Sequence, residues 1–218
     1  MHCYRRRVAL VICLSYVAAV ATNATILMTV PTWNATVPVL AINCWILVHQ
    51  NFFGGAVVFN QTWTGYRNGF GAVDGKYWFG LEPLYLLTTN GGVGTTRYHL
   101  RVEIFATAIN KWLSAEYSSF YIDSESANYK LHVSGYSGDA GDAFNVGTFA
   151  SRIINKMKFY TPDRNNSCAS SNDCGWWFNS CGTAILSFAA QGSWGTLTIY
   201  GISPNYYVGH SRMMIRLT

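Results

Sequence analysis

Charge is scarce in this chain: Asp, Glu, Lys and Arg together supply only 11% of its 218 residues, against about a quarter in ordinary soluble domains. The Lys- and Glu-rich surface usual in cytosolic helical proteins is therefore missing. Heptads, Gly-x-y tracts and internal repeats are absent as well, which excludes a coiled-coil or collagen-like stalk within the sequence. No apolar run reaches the ~20 residues that a bilayer-spanning helix needs. Basic residues exceed acidic ones by five, but Arg5, Arg6 and Arg7 account for three of these. Without them 12 basic residues face 10 acidic ones, and the small remainder gives no electrostatic footprint for nucleic acid.

Catalytic signatures are equally absent. Gly135-Tyr136-Ser137-Gly138 is not a Gly-x-Ser-x-Gly nucleophile elbow. Gly91-Gly92-Val93-Gly94-Thr95-Thr96 has no phosphate-loop lysine. His49, His99, His132 and His210 form no i, i+4 pair and read as exposed strand histidines. Asp139 and Asp142 lie in a Gly-rich turn without the oxygen series of an EF-hand. Asp123 and Glu125 read as neighbouring charges at a strand end. The chain is expected not to be an enzyme.

What is present begins with Met1 to Ala21, where three arginines, an apolar run over Val8–Val20 and the small-x-small Ala19-Val20-Ala21 spell a secretory signal peptide. A secreted, extracellular product without a membrane span follows. Sequons at Asn23, Asn34, Asn60 and Asn165 agree with that route and mark surface where glycosylated. Cys44, Cys168, Cys174 and Cys181 remain after processing, and four cysteines allow three pairings in an oxidising compartment. Aromatic residues make up 16% of the sequence. Leu100, Val102 and Ile104 alternate with His99, Arg101 and Glu103, as an antiparallel strand with one wet face does. Residues 42–48, 55–59, 115–122 and 128–134 also read as strands, and Trp63–Gly71 as a helical turn ending at glycines.

The densest stretch is Asp163 to Cys181, with three cysteines, Trp176-Trp177, a sequon and a run of amides and acids. It is too polar and turn-rich for a core element and reads as a disulfide-held ligand loop. Its Trp176-Trp177-Phe178-Asn179-Ser180-Cys181 run resembles the C-terminal part of a fibrinogen-related domain. So do Trp63–Gly71, Gly75–Glu82, Tyr98–Val102, Tyr129–Ala143 and Met157-Lys158-Phe159, all in the family's order.

The resemblance implies an α+β fibrinogen C-terminal-like domain over 44–218, preceded by a lead-in segment over 22–43. Its expected form is a central twisted antiparallel sheet with short helices and a loop-rich C-terminal ligand subdomain. It implies a Cys168–Cys181 disulfide, leaving Cys44 and Cys174 either to pair with each other or to link two chains into a homo-oligomer. It also implies an acetyl-group pocket at Trp177, Phe178, Asn179, Ser180, Cys181 and Gly182. There a cis Ser180–Cys181 peptide would present backbone N–H groups to an acetyl oxygen while aromatic rings enclose the methyl. The family's histidine is replaced here by Gly182, so only the backbone role carries over. A calcium loop is implied around Asp163 and Asn165, but the run is shortened and keeps one carboxylate, which points to a weak calcium site or none. The function implied is lectin-like recognition of acetylated or other glycans in innate immunity. The alternative is an extracellular-matrix or receptor-binding module that binds protein without calcium or a small-ligand pocket.

Overall fold

Short runs of alternating side chains separated by turns can bury one face only by pairing side by side, and they do so here in one antiparallel sheet. The computed structural model describes residues 24–29, 36–42, 45–54, 58–89, 98–146, 152–182, 184–188, 192–195 and 207–217. Its strands are β1 (Ala24–Thr29), β2 (Thr36–Ile42), β3 (Trp45–Phe52), β4 (Phe70–Gly71), β5 (Tyr77–Trp78), β6 (Tyr98–Ala106), β7 (Lys111–Ile122), β8 (Leu131–Gly138), β9 (Ala184–Ile185), β10 (Gly192–Trp194) and β11 (Tyr207–Leu217). Three short helices accompany them, α1 (Trp63–Asn68), α2 (Leu81–Thr88) and α3 (Ser167–Ser171).

The main strand order is β1-β2-β3-β11-β6-β7-β8, so the last strand lies in the middle of the sheet. Strand β11 pairs with β3 on one side and β6 on the other, so the C-terminal strand joins the two halves of the sheet. The period-2 pattern of β6 is realised in full. Leu100, Val102 and Ile104 are completely buried, while His99, Arg101, Glu103 and Phe105 face the other way. Each such buried aliphatic contributes about 1.5–3 kcal/mol of apolar transfer.

Several expected boundaries shift. The run 42–48 is not one strand: Ile42 pairs with Trp45, so the polypeptide reverses between them. The segment 22–43, expected as a lead-in, supplies β1 and β2 to the sheet. Residues 55–57 lie outside the described residues, and Phe59 sits in a loop with its carbonyl accepting from Tyr66 Oη at 2.6 Å. Strand β7 starts at Lys111, before the expected 115, and β8 starts at Leu131, after the expected 128. The signal segment 1–21 lies outside the described residues.

His49 corrects the reading of strand histidines as exposed. It points inward, fully buried among the rings of Phe59, Trp78 and Trp176, with centroids 5.2, 5.9 and 5.9 Å away. Its Nε2 lies 3.3 Å from Ser187 Oγ. Strand alternation assigns His49 to the same face as Leu47, so the polarity of its side chain does not decide its direction.

Asp139 and Asp142 hold turns together, as the Gly-rich context predicts. Asp139 accepts from the Ser114 N–H at 2.7 Å, and Asp142 accepts from Tyr117 Oη at 2.9 Å.

Candidate functional site

The stretch Asp163–Cys181 is built outward from its tryptophans. Trp176 pairs with Tyr160 through two backbone hydrogen bonds of 3.0 Å, and its indole N–H donates to the Ala184 carbonyl at 2.6 Å. The Trp177 indole N–H donates to the Tyr129 carbonyl at 2.8 Å. Both rings are fully buried, and Trp177 packs against Phe159 and Trp78 at 5.0 and 6.0 Å. Gly175 lets the pair approach. A Cβ there would lie 2.6 Å from the Tyr66 ring and 2.8 Å from the Phe159 ring, closer than side chains tolerate.

From this base the polypeptide runs out to the surface. Cys168, on α3, is bonded to Cys181 with their Cα atoms 4.9 Å apart, as the family resemblance implies. Asn166 caps α3, its Oδ1 accepting from the Ala169 N–H at 3.0 Å. The turn Asn179–Gly182 is thereby fixed at one end to α3. At the other end Asn179 Nδ2 donates to the Ile153 carbonyl at 2.8 Å.

Three expectations about the pocket are corrected by this geometry. Trp177 is no ligand wall, because a ring without exposed surface cannot touch a ligand, and Phe178 is buried beside it. No cis peptide occurs among the described residues. Ser180, Cys181 and Gly182 instead take φ values of 44°, 61° and 62°, and three successive left-handed residues turn the backbone with trans peptides. Finally, the Gly182 N–H, expected to hold an acetyl oxygen, donates to the Asn179 carbonyl at 2.7 Å and closes the turn. What reaches solvent is the exposed Ser180, flanked by half-buried Asn179, Cys181 and Gly182.

The expected calcium residues point elsewhere. Asp163 accepts from the Trp63 backbone N–H with both oxygens, at 3.0 and 3.1 Å, and from Thr161 Oγ1 at 2.6 Å. Partial burial pushes its pKa up, but the bonds from Thr161 and the Trp63 N–H outweigh this and hold it below the usual aspartate value. Arg164 lies over the Trp63 ring, 3.7 Å from its centroid. The Trp63 indole N–H donates to Glu125 at 2.7 Å, and Glu125 also takes Arg67 at 3.0 Å. Asn165 is exposed at φ 50°. Among the described residues no three His, Cys, Asp or Glu side chains come close enough to hold a metal ion. One carboxylate, already bonded through both oxygens, does not fit a cation that takes six to eight oxygen ligands.

Cys174 is a free, fully buried thiol whose pKa burial pushes far up, so it offers no bridge to a second copy. Cys44 lies outside the described residues, as do Asn23 and Asn34. The other two sequon residues, Asn60 and Asn165, are exposed, and Asn60 Nδ2 meets Asp173 Oδ1 at 3.2 Å.

Sequence patterns gave no sign of the segment 152–156 that carries the turn. Ile153 receives Asn179, and Asn155 binds Val133 through both its amide groups, donating at 3.0 Å and accepting at 3.1 Å. These contacts join residues more than 20 positions apart, and no local pattern announces them.

A sheet with its C-terminal strand in the middle, joined to a disulfide-pinned loop region, is the architecture of fibrinogen-like globe domains. The protein belongs to the family of the C-terminal globular domain of fibrinogen beta and gamma chains, whose model matches residues 41–212. It is 36% identical to bovine fibrinogen-like protein 1 over 172 residues, covering 72% of this chain and 53% of that protein. With human angiopoietin-related protein 2 it shares 37% identity over 142 residues, covering 63% of this chain and 26% of the relative. The match thus spans about half the length of the first relative and about a quarter of the second. Its fold superimposes on the fibrinogen-like globe domain of human ANGPTL2 with a TM-score of 0.78 at 28% identity, covering 94% and 97% of the two chains. The lamprey fibrin D-dimer, in complex with the peptide Gly-His-Arg-Pro-amide, matches with a TM-score of 0.71 at 26% identity, over 83% of this chain and 65% of that one. Among the described residues no helix is long and apolar enough to cross a membrane.

Proposed function

We propose that this protein is a secreted, non-enzymatic recognition module that binds an extracellular or cell-surface protein, using neither calcium nor an acetyl-group pocket. The observation that carries this reading is the closed turn at the candidate site. The Gly182 N–H is engaged by the Asn179 carbonyl at 2.7 Å, and both aromatic candidates for a pocket wall lie in the core. A small acetylated ligand needs converging donors and an apolar enclosure, whereas the exposed residue of this turn is Ser180, with Asn179, Cys181 and Gly182 half-buried beside it. A protein partner needs no enclosing pocket, because its interface is an extended patch with an apolar core and a polar rim.

The relatives support the class. Angiopoietin-related proteins and fibrinogen share this domain, and the lamprey fibrin fragment is in complex with a peptide. The signal segment and sequons support secretion.

The test is binding of the labelled, secreted protein to cultured cells and deposited matrix after limited protease or glycosidase treatment. Loss of binding after protease with retention after glycosidase is expected. Retention after protease with loss after glycosidase replaces the protein partner with a glycan.

A further inference from the structure

The face of the sheet turned away from the core carries an aromatic row that neither the disulfide loop nor the hydrophobic core accounts for. Strand register sets it. His210 on β11 pairs with Phe52 on β3 on one side and with Phe105 on β6 on the other, and Phe105 pairs with Trp112 on β7. Four ring-bearing positions on four adjacent strands are therefore in register across the sheet, and the Trp112 ring touches both His210 and Phe105. Ring centroids are 5.5 Å apart for Phe52–His210, 5.1 Å for His210–Trp112 and 5.6 Å for Phe105–Trp112. With strands spaced about 4.8 Å apart, the row is about 14 Å long.

A bulge makes the alignment. The β11–β6 register shifts between Val208 and His210, and Gly209 sits in the shift. A Cβ on Gly209 would fall 2.5 Å from Thr107 Cγ2. A side chain there would have to displace Thr107, which leads the turn between β6 and β7.

Trp112 keeps 44% of its surface exposed, and at the same end of the sheet Phe53 keeps 72% and Ile109, in the turn joining β6 to β7, keeps 39%. Exposed large apolar side chains gathered at one end of a monomer mark an interaction surface. Trp and Arg are the residues that most often carry the energy of such surfaces, and the Arg212 guanidinium stands 5.5 Å from the Trp112 centroid.

The charges beside the row indicate the occupant. Next to the aromatic line, Arg212 donates to Glu103, Glu103 accepts from Arg101 at 2.7 Å, and Arg101 donates to Glu116. Signs alternate along this ladder and sum to zero, and Lys111 beside it is matched by Asp139 at 3.6 Å. The charges of this ladder cancel one another, so the ladder itself favours neither an acidic nor a basic partner. It can meet a copy of itself without like-charge repulsion, because a twofold axis runs the ladder antiparallel to its mate.

The geometry points to this face as an isologous dimer interface, Phe52–His210–Phe105–Trp112 of one copy packing on the same row of a second copy of this chain. The inference stands apart from the proposed protein partner, whose docking region is the disulfide loop. A dimer joined through the sheet would present two loop regions at once, and linking two weak sites can raise apparent affinity by ~10²–10⁴.

Sedimentation equilibrium of the secreted, glycosylated full-length protein over a wide concentration range tests it, with Trp112→Arg, Phe105→Ser and Val146→Arg alongside. Val146 is exposed on the core side of the sheet, next to Asp142, which accepts from the inward-facing Tyr117. The wild-type protein and Val146→Arg are expected to dimerise. Trp112→Arg and Phe105→Ser are expected to raise the dimer dissociation constant at least about tenfold while keeping a cooperative thermal transition. Hydrogen exchange of the wild-type protein, which needs no variant, is expected to slow at 107–112 and 208–212 as concentration rises. A wild-type protein that stays monomeric, or dimers that persist with unchanged affinity in both row variants, overturns the inference. So does a monomer that binds a foreign protein, a glycan or a lipid vesicle through Trp112.

Discussion

Asp163 reaches across one hundred residues of sequence to receive the backbone N–H of Trp63 on both carboxylate oxygens, at 3.0 and 3.1 Å. The carboxylate expected in a calcium loop instead anchors the start of α1 to the disulfide-bonded region. Replacing it with Ala removes the acceptor for a helix-terminal N–H and for Thr161, so Asp163→Ala is expected to lose about 1–2 kcal/mol of stability. Calcium chelation of the wild-type protein is expected to leave the melting temperature unchanged. Thermal melting of both proteins with and without chelator checks the two together, and a melting temperature that rises with added calcium contradicts the anchor reading.

The Cys168–Cys181 bridge closes a short loop, thirteen residues apart in sequence. Polymer-entropy arguments assign a loop of that size about 3 kcal/mol. The double variant Cys168→Ser/Cys181→Ser is expected to lose about that amount in denaturant unfolding. The loss should be accompanied by proteolytic nicking near Ser180, because α3 and Asn179 are then no longer held together. An intact turn that resists protease in the double variant contradicts the bridge as its fastening.

His49 makes stability depend on pH. Burial, reinforced by the nearby His210, lowers its pKa to about 3 in the folded protein, against about 6.5 in the unfolded state. Between those values the unfolded state binds a proton that the folded state refuses, so stability falls as pH drops from about 6.5 toward 3. Above about 6.5 this contribution is complete and flat. Equilibrium unfolding at pH 7.5, 6.5 and 5.5 is expected to show the decline below 6.5, and His49→Gln should be weaker at pH 7.5 but flatter over the same span. His210, also lowered by burial and by Arg212, adds a slope of the same sign.

Much of the fold was legible because the information is local. The alternation of Leu100, Val102 and Ile104 with His99, Arg101 and Glu103 places β6, and Gly69 ends the helix at Trp63–Asn68 where the glycines suggest. The family resemblance supplies the Cys168–Cys181 pairing, and the bond is there. The reversal between Ile42 and Trp45 was hidden because apolar runs on both sides have the same composition. The site was harder to read for a related reason. Whether Trp177 walls a pocket or fills the core depends on Trp78 and Phe159, which arrive from distant parts of the sequence. The aim of the Gly182 N–H is set by three backbone dihedrals rather than by residue type. The partner of Asp163 lies one hundred positions away, beyond any spacing rule.

The Gly182 N–H bond to the Asn179 carbonyl closes the turn against an acetyl group, and the proposed recognition of protein rests on that closure. The most direct test is binding of the secreted, glycosylated protein to immobilised acetylated sugars and to the same sugars after deacetylation, with and without chelator. A closed turn predicts equal binding on both surfaces and no effect of chelation. Binding that falls on deacetylation, and again when calcium is removed, would show that the turn opens into a pocket and would contradict the claim.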